Sequence, residues 1–191
     1  MRFVLDLALA VVIAVVVGVG SAWLAVDRGR FFGAVTVGVW TAWPQEGSPD
    51  ADPYSLAMLA RTGEIPLGAG EGLSFTAEND ATGSALTGRC TYTISGATPA
   101  ARLWTLTAYD EGGRLMQNPV ERTGLHSREI VREESGDFLV TVSAAVQPGN
   151  WLPIAAVDRF RLVLRLYDTP LTTGRQIADL TMPAIQKTSC P

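Results

Sequence analysis

"RFRLVLRLY", residues 159–167, is the stretch on which the fold turns. Phe160, Leu162, Leu164 and Leu166 fall on one side of it, and Arg159, Arg161, Val163, Arg165 and Tyr167 on the other. A period of two is the signature of an extended strand. Four large apolar side chains on one face require a core to cover them. The arginine stems on the opposite face can lie over apolar surface while their heads stay wet. That face reads structurally as an ion-paired sheet surface. Functionally, the same guanidiniums can clamp an anionic ligand or lipid headgroups. Just upstream, Trp151 either plugs the space between sheet and loop or offers a ligand platform. Asn150 reads as a turn residue bonding nearby backbone.

The pattern repeats outward in both directions. Leu73–Ala77, Arg89–Gly96 and Arg102–Asp110 alternate, and turn-rich segments separate them at 79–83 and 110–113. In 102–110, Trp104, Leu106 and Ala108 share one face, and Leu103, Thr105, Thr107 and Tyr109 the other. Bulk on both sides predicts a central strand covered on both faces. The Thr105–Thr107–Tyr109 strip, which could bind a sugar, reads as packing. Residues 129–132 and 138–143 read as the arms of a hairpin turning at 133–137, and Pro148-Gly149 as a further turn. Residues 31–43 read as extended and 44–53 as a loop. One soluble helix is predicted, with Asp52 as its cap, Pro53 in its first turn and Gly63 as its stop. Short strands with frequent turns predict an all-β, mainly antiparallel sandwich or jelly roll with one short helix before the sheet.

Residues 7–25, LALAVVIAVVVGVGSAWLA, carry no charge. As a helix they span about 28 Å, close to the hydrocarbon thickness of a bilayer. A cleavable signal peptide is the rival reading, with Gly20-Ser21-Ala22 as its small-residue site. The length of the run and Trp23, suited to the membrane interface, favour an anchor. The expected division is 1–30 as anchor and juxtamembrane segment and 31–191 as a β-sandwich domain. Arg2 lies on one flank and Arg28 and Arg30 on the other, so flanking charge leaves orientation open. The two cysteines, Cys90 and Cys190, have neither zinc nor C-x-x-C spacing. A Cys90–Cys190 disulfide in an oxidising compartment is expected, over the alternative of two buried thiols in a cytosolic domain. The expectation is a bacterial inner-membrane, single-pass protein with its C-terminal domain in the periplasm.

Function classes narrow by elimination. A net charge of −4 without a basic run argues against nucleic acid. His126 is the only histidine, so two- and three-histidine zinc sites are excluded. A Ser-His-Asp triad would need His126, yet no G-x-S-x-G elbow is present. The acid pairs Asp50/Asp52, Asp110/Glu111 and Glu133/Glu134 fall in turns or at a cap. Leu67–Gly72 has three glycines but neither a phosphate-loop ending nor a strand before it. The expectation is a binding or structural module with no cofactor and no metal site, the membrane as one partner, and an envelope protein, lipid or glycan as another. Its candidate binding residues are Trp151, Arg159, Arg161, Arg165 and Tyr167. The alternative is a hydrolase of an envelope substrate using His126 or turn carboxylates.

Three stretches carry a family resemblance: WTLTAYDEGGRLMQNP (104–119) followed by Arg122, GNWLP (149–153) and RLVLRLYDTP (161–170). Together they resemble domain of unknown function 1214, and in detail its short, membrane-anchored, single-domain members. The resemblance covers most of the chain beyond about residue 50. It implies a β-sandwich fold and brings no catalytic residue with it.

Overall fold

The apolar leader forms one helix, α1 (Arg2–Arg28), whose long apolar run lies exposed along its whole length. A computed structural model describes residues 2–28, 33–173, 177 and 180–190. The second helix, α2 (Pro53–Thr62), starts and stops on the predicted signals. The Asp52 carboxylate accepts the Tyr54 and Ser55 N–H groups, both at 3.0 Å, and the Ser55 hydroxyl. The Ser55 bonds, with that from Tyr54, hold its carboxyl below the ordinary carboxylate range. Gly63 closes the helix at φ 68°, its N–H donating to the Leu59 carbonyl at 2.9 Å.

The described strands are β1 (Val35–Val37), β2 (Trp40–Ala42), β3 (Gly72–Ala77), β4 (Thr91–Gly96), β5 (Leu103–Asp110), β6 (Gly124–His126), β7 (Phe138–Ser143), β8 (Asn150–Pro153), β9 (Phe160–Tyr167) and β10 (Ala184–Ser189). They form a six-stranded sheet ordered β1-β2-β3-β9-β5-β6 and a four-stranded sheet ordered β10-β4-β7-β8. The stretch that decides the fold is therefore an interior strand, antiparallel to both its neighbours. Leu164 stands between Phe75 and Leu106, and all three are buried. The buried faces of the two sheets meet in a single core. Trp104 packs on Phe138 with ring centroids 5.0 Å apart, and Tyr92 meets Phe160 edge-on at 5.9 Å. Tyr92 is fully buried, and its hydroxyl accepts the Thr87 N–H at 3.0 Å. Burial pushes the Tyr92 phenol above its usual pKa.

Several expectations need correction. The four-stranded sheet is mixed, because β8 runs parallel to β7 in the register Val140↔Asn150 to Ser143↔Pro153. Only residues 144–149 link these two strands, with Gly149 at φ 76°. Asn150 holds the crossover. Its amide Nδ2 donates to the Leu139 and Val131 carbonyls at 2.9 and 2.7 Å, and its Oδ1 accepts the Val131 N–H at 2.7 Å. It is a long-range clamp rather than the local turn residue expected. Residues 129–132 form no strand; of the expected hairpin, the turn at 133–137 forms, with the Glu133 N–H donating to the Asp137 carbonyl at 2.8 Å, and one bridge, Arg132↔Phe138, follows it. The short β6 pairs with β5 instead. Of the extended segment at 31–43, residues 31 and 32 lie outside the described residues. The remainder is a hairpin turning at Gly38, whose φ is 61°.

Three devices hold the C-terminal strand. Cys90 and Cys190 form the expected disulfide across a separation of 100 residues. The Trp40 indole N–H donates to the Pro183 carbonyl at 2.8 Å. Lys187 Nζ stands 3.8 Å from Oδ2 of the fully buried Asp80. Asp80 Oδ1 organises its turn by accepting the Thr82 hydroxyl at 2.6 Å and the Thr82 and Ser84 N–H groups at 2.9 and 3.1 Å. Burial pushes this carboxyl up, but the hydrogen bonds and Lys187 outweigh that and leave it below its ordinary value.

Candidate functional site

Alternation turns Ser74 and Thr76 of β3, Thr105, Thr107 and Tyr109 of β5, and Arg161, Val163 and Arg165 of β9 away from the core. Register groups them in rows. Ser74, Arg165, Thr105 and His126 lie opposite one another across four strands, and Arg161 lies opposite Tyr109. Part of this face is covered. The segment between β2 and β3 reaches over β3 and β9, where Glu46, Glu64, Ile65 and Leu67 line a recess with Ser74, Thr76, Val163 and Arg165. His126, on β6, stays exposed.

A cleft of about 200 Å³ remains between Thr62–Glu64, at the end of α2, and the β5 turn at Glu111–Gly113; its floor is Tyr109, Arg161, Val163 and Arg165. It adjoins a narrower recess beneath Glu46 and Ile65 that shares Glu64, Val163 and Arg165. On the far side of Arg161, a second cleft of about 240 Å³ is lined by Arg159, Glu78, Asp110 and Glu111 among others.

The electrostatics of the first cleft are mixed. Arg165 Nη1 donates to the Tyr109 hydroxyl at 3.0 Å, and its guanidinium carbon lies 5.4 Å from the Tyr109 ring centroid. Arg161 lies 6.0 Å from the same ring. One aromatic ring thus steadies two cations, a contact worth about 0.5–2 kcal/mol for each. Arg161 Nη2 stands 4.0 Å from Glu64 Oε2, and its buried Nε–H meets no acceptor among the described residues. Gly113 makes room for this guanidinium: a Cβ there would sit 3.1 Å from Arg161 Nη2, and its φ of 75° already favours glycine.

The structure brings Arg161 and Arg165 together and sets the other candidates apart. Arg159 serves the neighbouring cleft. Tyr167 lies at the far end of β9, opposite Gly72 and Leu103. Trp151 belongs to the other sheet, where its indole N–H donates to the Ser143 carbonyl at 3.0 Å and its carbonyl accepts Arg122 Nη1 at 3.2 Å. His126 shares the outer face but lies two strands from Arg165, about 10 Å at ordinary strand spacing. Its Nδ1 accepts the Arg128 N–H at 3.3 Å, and its Nε2 stands 3.5 Å from Glu129. The Ser127 hydroxyl accepts the Trp104 N–H at 3.3 Å, and among the described residues no hydrogen bond joins it to the His126 ring.

Sequence reasoning missed Glu64, Glu111 and Gly113 as members of this site and read Tyr109 as packing. Tyr109 was within reach, because alternation puts it on the outer face and Asp110-Glu-Gly-Gly113 ends its strand. Nothing local ties Glu64, at the end of a helix, to Arg161, almost a hundred residues later.

Comparison with known proteins bears on fold and family. The VPA0106 protein of Vibrio parahaemolyticus superposes with a TM-score of 0.59 at 23% identity, over 73% of this chain and 36% of that one. An uncharacterized protein from Burkholderia cenocepacia aligns with a TM-score of 0.44 at 16% identity, over 93% of this chain and 52% of its own. The chain thus spans about a third to a half of these solved structures. No curated protein matches it. The model of the protein family of unknown function DUF1214 matches residues 71–171, which run from the end of the covering segment through β9 and hold the whole cleft floor. With more than half of its length matched, and with the β5 turn, the Asn150 clamp and the arginine strand all inside that span, the chain belongs to the DUF1214 family.

Proposed function

We propose that this protein is a single-pass membrane protein of a bacterial cell envelope. In this reading α1 anchors it in the inner membrane, and residues 31–191 form a periplasmic β-sandwich of jelly-roll type. Its role is non-catalytic: the cleft over β9 binds a polar ligand that carries an anionic oxygen among hydroxyls. An acidic glycan and a glycerophospholipid headgroup share that chemistry.

The observation that carries this reading is the pair Arg161 and Arg165 on one cleft floor. Two neighbouring guanidiniums offer an anionic oxygen charge-assisted hydrogen bonds that a neutral group cannot match. Glu64 and Glu111 on the walls can accept ligand hydroxyls. A 26-residue helix whose most apolar stretch reaches a mean hydropathy of 2.7 supports the anchor, and the disulfide supports an oxidising compartment. The local engagement of His126 and Ser127, away from the cleft, supports a binding role over hydrolysis.

Titration of the full-length protein in nanodiscs tests it, with an oligo-uronate in one arm and the soluble headgroup glycerophosphoglycerol in the other. Either probe should bind, and Arg165→Ala should weaken that binding about tenfold or more, since a charge-assisted hydrogen bond contributes about 1.5–3 kcal/mol. Equal binding by wild type and Arg165→Ala, or binding of neither probe, overturns the assignment. Which probe binds separates the two ligand sources.

A further inference from the structure

The outward side of α2 is unusual for a surface helix. Ser55, Met58 and Leu59 turn inward, while Pro53, Leu56, Ala57 and Ala60 turn outward, flanked by Tyr54 and Arg61. The helix contains no acidic residue and Arg61 is its one charge. A helix on a water-facing surface normally shows charged and polar residues on its outer side. Leu56 is 51% exposed, and Ile65, just past the helix, is 89% exposed.

The position of α2 says what this face meets. Arg61 Nη2 lies 2.7 Å from Asp27 Oδ1, and the same guanidinium lies 6.0 Å from the Trp23 ring. Trp23 and Asp27 stand where the uncharged run of α1 ends. A helix crossing the hydrocarbon core brings such residues to headgroup level, where tryptophan is favoured and an Asp–Arg pair can stay hydrated. Arg61 therefore pins the last turn of α2 to the height at which α1 leaves the apolar layer. A helix with an apolar outer side and a flanking tyrosine and arginine suits that plane.

We propose that the outward face of α2, together with Ile65, rests on the surface of the bilayer that α1 enters, with Leu56 and Ile65 dipping into the headgroup–acyl boundary. The proposal rests on the anchor reading above. It also gives the arginine cleft an address. Glu64, which faces Arg161 across the cleft, is the residue before Ile65, so this wall of the cleft stands at the membrane surface.

Site-directed fluorescence quenching tests the contact in the full chain, its disulfide intact, reconstituted into phosphatidylethanolamine–phosphatidylglycerol vesicles. Single cysteines replace Leu56, Ile65, Val12 in mid-α1 and, as a control, Val146, which is 78% exposed in the β7–β8 link. Each carries a bimane label and is challenged with lipids bearing a nitroxide near the headgroup or deep in the chain. The expected result is deep quenching at Val12→Cys and shallow quenching at Leu56→Cys and Ile65→Cys at least twofold above that at Val146→Cys. If Val12→Cys is quenched while Leu56→Cys and Ile65→Cys match the control, the contact is wrong and the anchor stands. If Val12→Cys escapes both quenchers, the anchor fails and takes the contact with it. If Leu56→Cys is shielded from lipid quenchers and from aqueous iodide alike, a protein surface covers the helix, and the proposal is overturned.

Discussion

The two sheets share one core yet present very different outer faces. On the four-stranded sheet, Thr93 lies opposite Thr141 and Gln186, Ser95 opposite Leu139, and Thr141 beside Trp151. Apart from Lys187, its strands contain no charged residue. On the six-stranded sheet, the outer face carries Arg161 and Arg165 beneath a covering segment. The first arrangement costs little to keep in water, since its hydroxyls solvate readily beside the part-exposed Leu139. The second places cations where water is restricted, and they are stable there because Tyr109 and Glu64 face them. Charge retained under cover is the feature on which the proposed site rests, and the other sheet's strands offer no comparable pair of cations.

That contrast can be broken or sharpened experimentally. The largest effect should come from Leu164→Ala, which leaves a cavity at the centre of β9 and should cost about 2–5 kcal/mol in chemical denaturation. Arg165→Ala, one residue along on the opposite face, should cost far less while losing the ligand. If the two variants destabilise equally, Arg165 is a packing residue and the cleft is not a site.

Next in size is the Cys90–Cys190 bridge, which staples the edge strand of the four-stranded sheet. Denaturation with and without reductant should differ by about 2–4 kcal/mol, with about 4.7 kcal/mol as the chain-entropy ceiling for a loop of this length. Ligand binding at the other sheet should survive wherever the reduced protein is still folded; its loss would tie the two faces together.

A smaller, pH-dependent effect is expected at Asp80. Its folded pKa lies below the unfolded value of about 3.9, so its contribution is present above that value and is lost as pH falls through the folded pKa. Asp80→Asn keeps an oxygen for the turn and removes the titration. Its stability should therefore fall less steeply with acid below about pH 4 than that of wild type. Parallel stability–pH curves would mean that other carboxylates carry the acid response. Least of all, Thr141→Val on the neutral face should stay within about 0.5 kcal/mol of wild type and leave binding unchanged.

Much of this architecture is legible in one dimension. The alternation at 159–167 names the core leucines and the outer arginines before any partner strand is known, because the two faces of a strand follow from backbone geometry alone. Asp52, Pro53 and Gly63 delimit α2 for an equally local reason: capping joins side chain and backbone within a turn. The apolar leader declares itself by length and lack of charge. Beyond this, only tertiary structure decided the outcome. Pairing depends on which strands meet, so the parallel β7–β8 contact, the hairpin at 35–42 and the short strand β6 beside β5 left no local signal. The site depends on it further still. Arg161 and Arg165 are visible as a pattern, but the covering segment, Glu64 across the cleft and the space left by Gly113 come from parts of the chain brought together by folding. A periodicity says which way a side chain points, and only the packed structure says what stands in front of it.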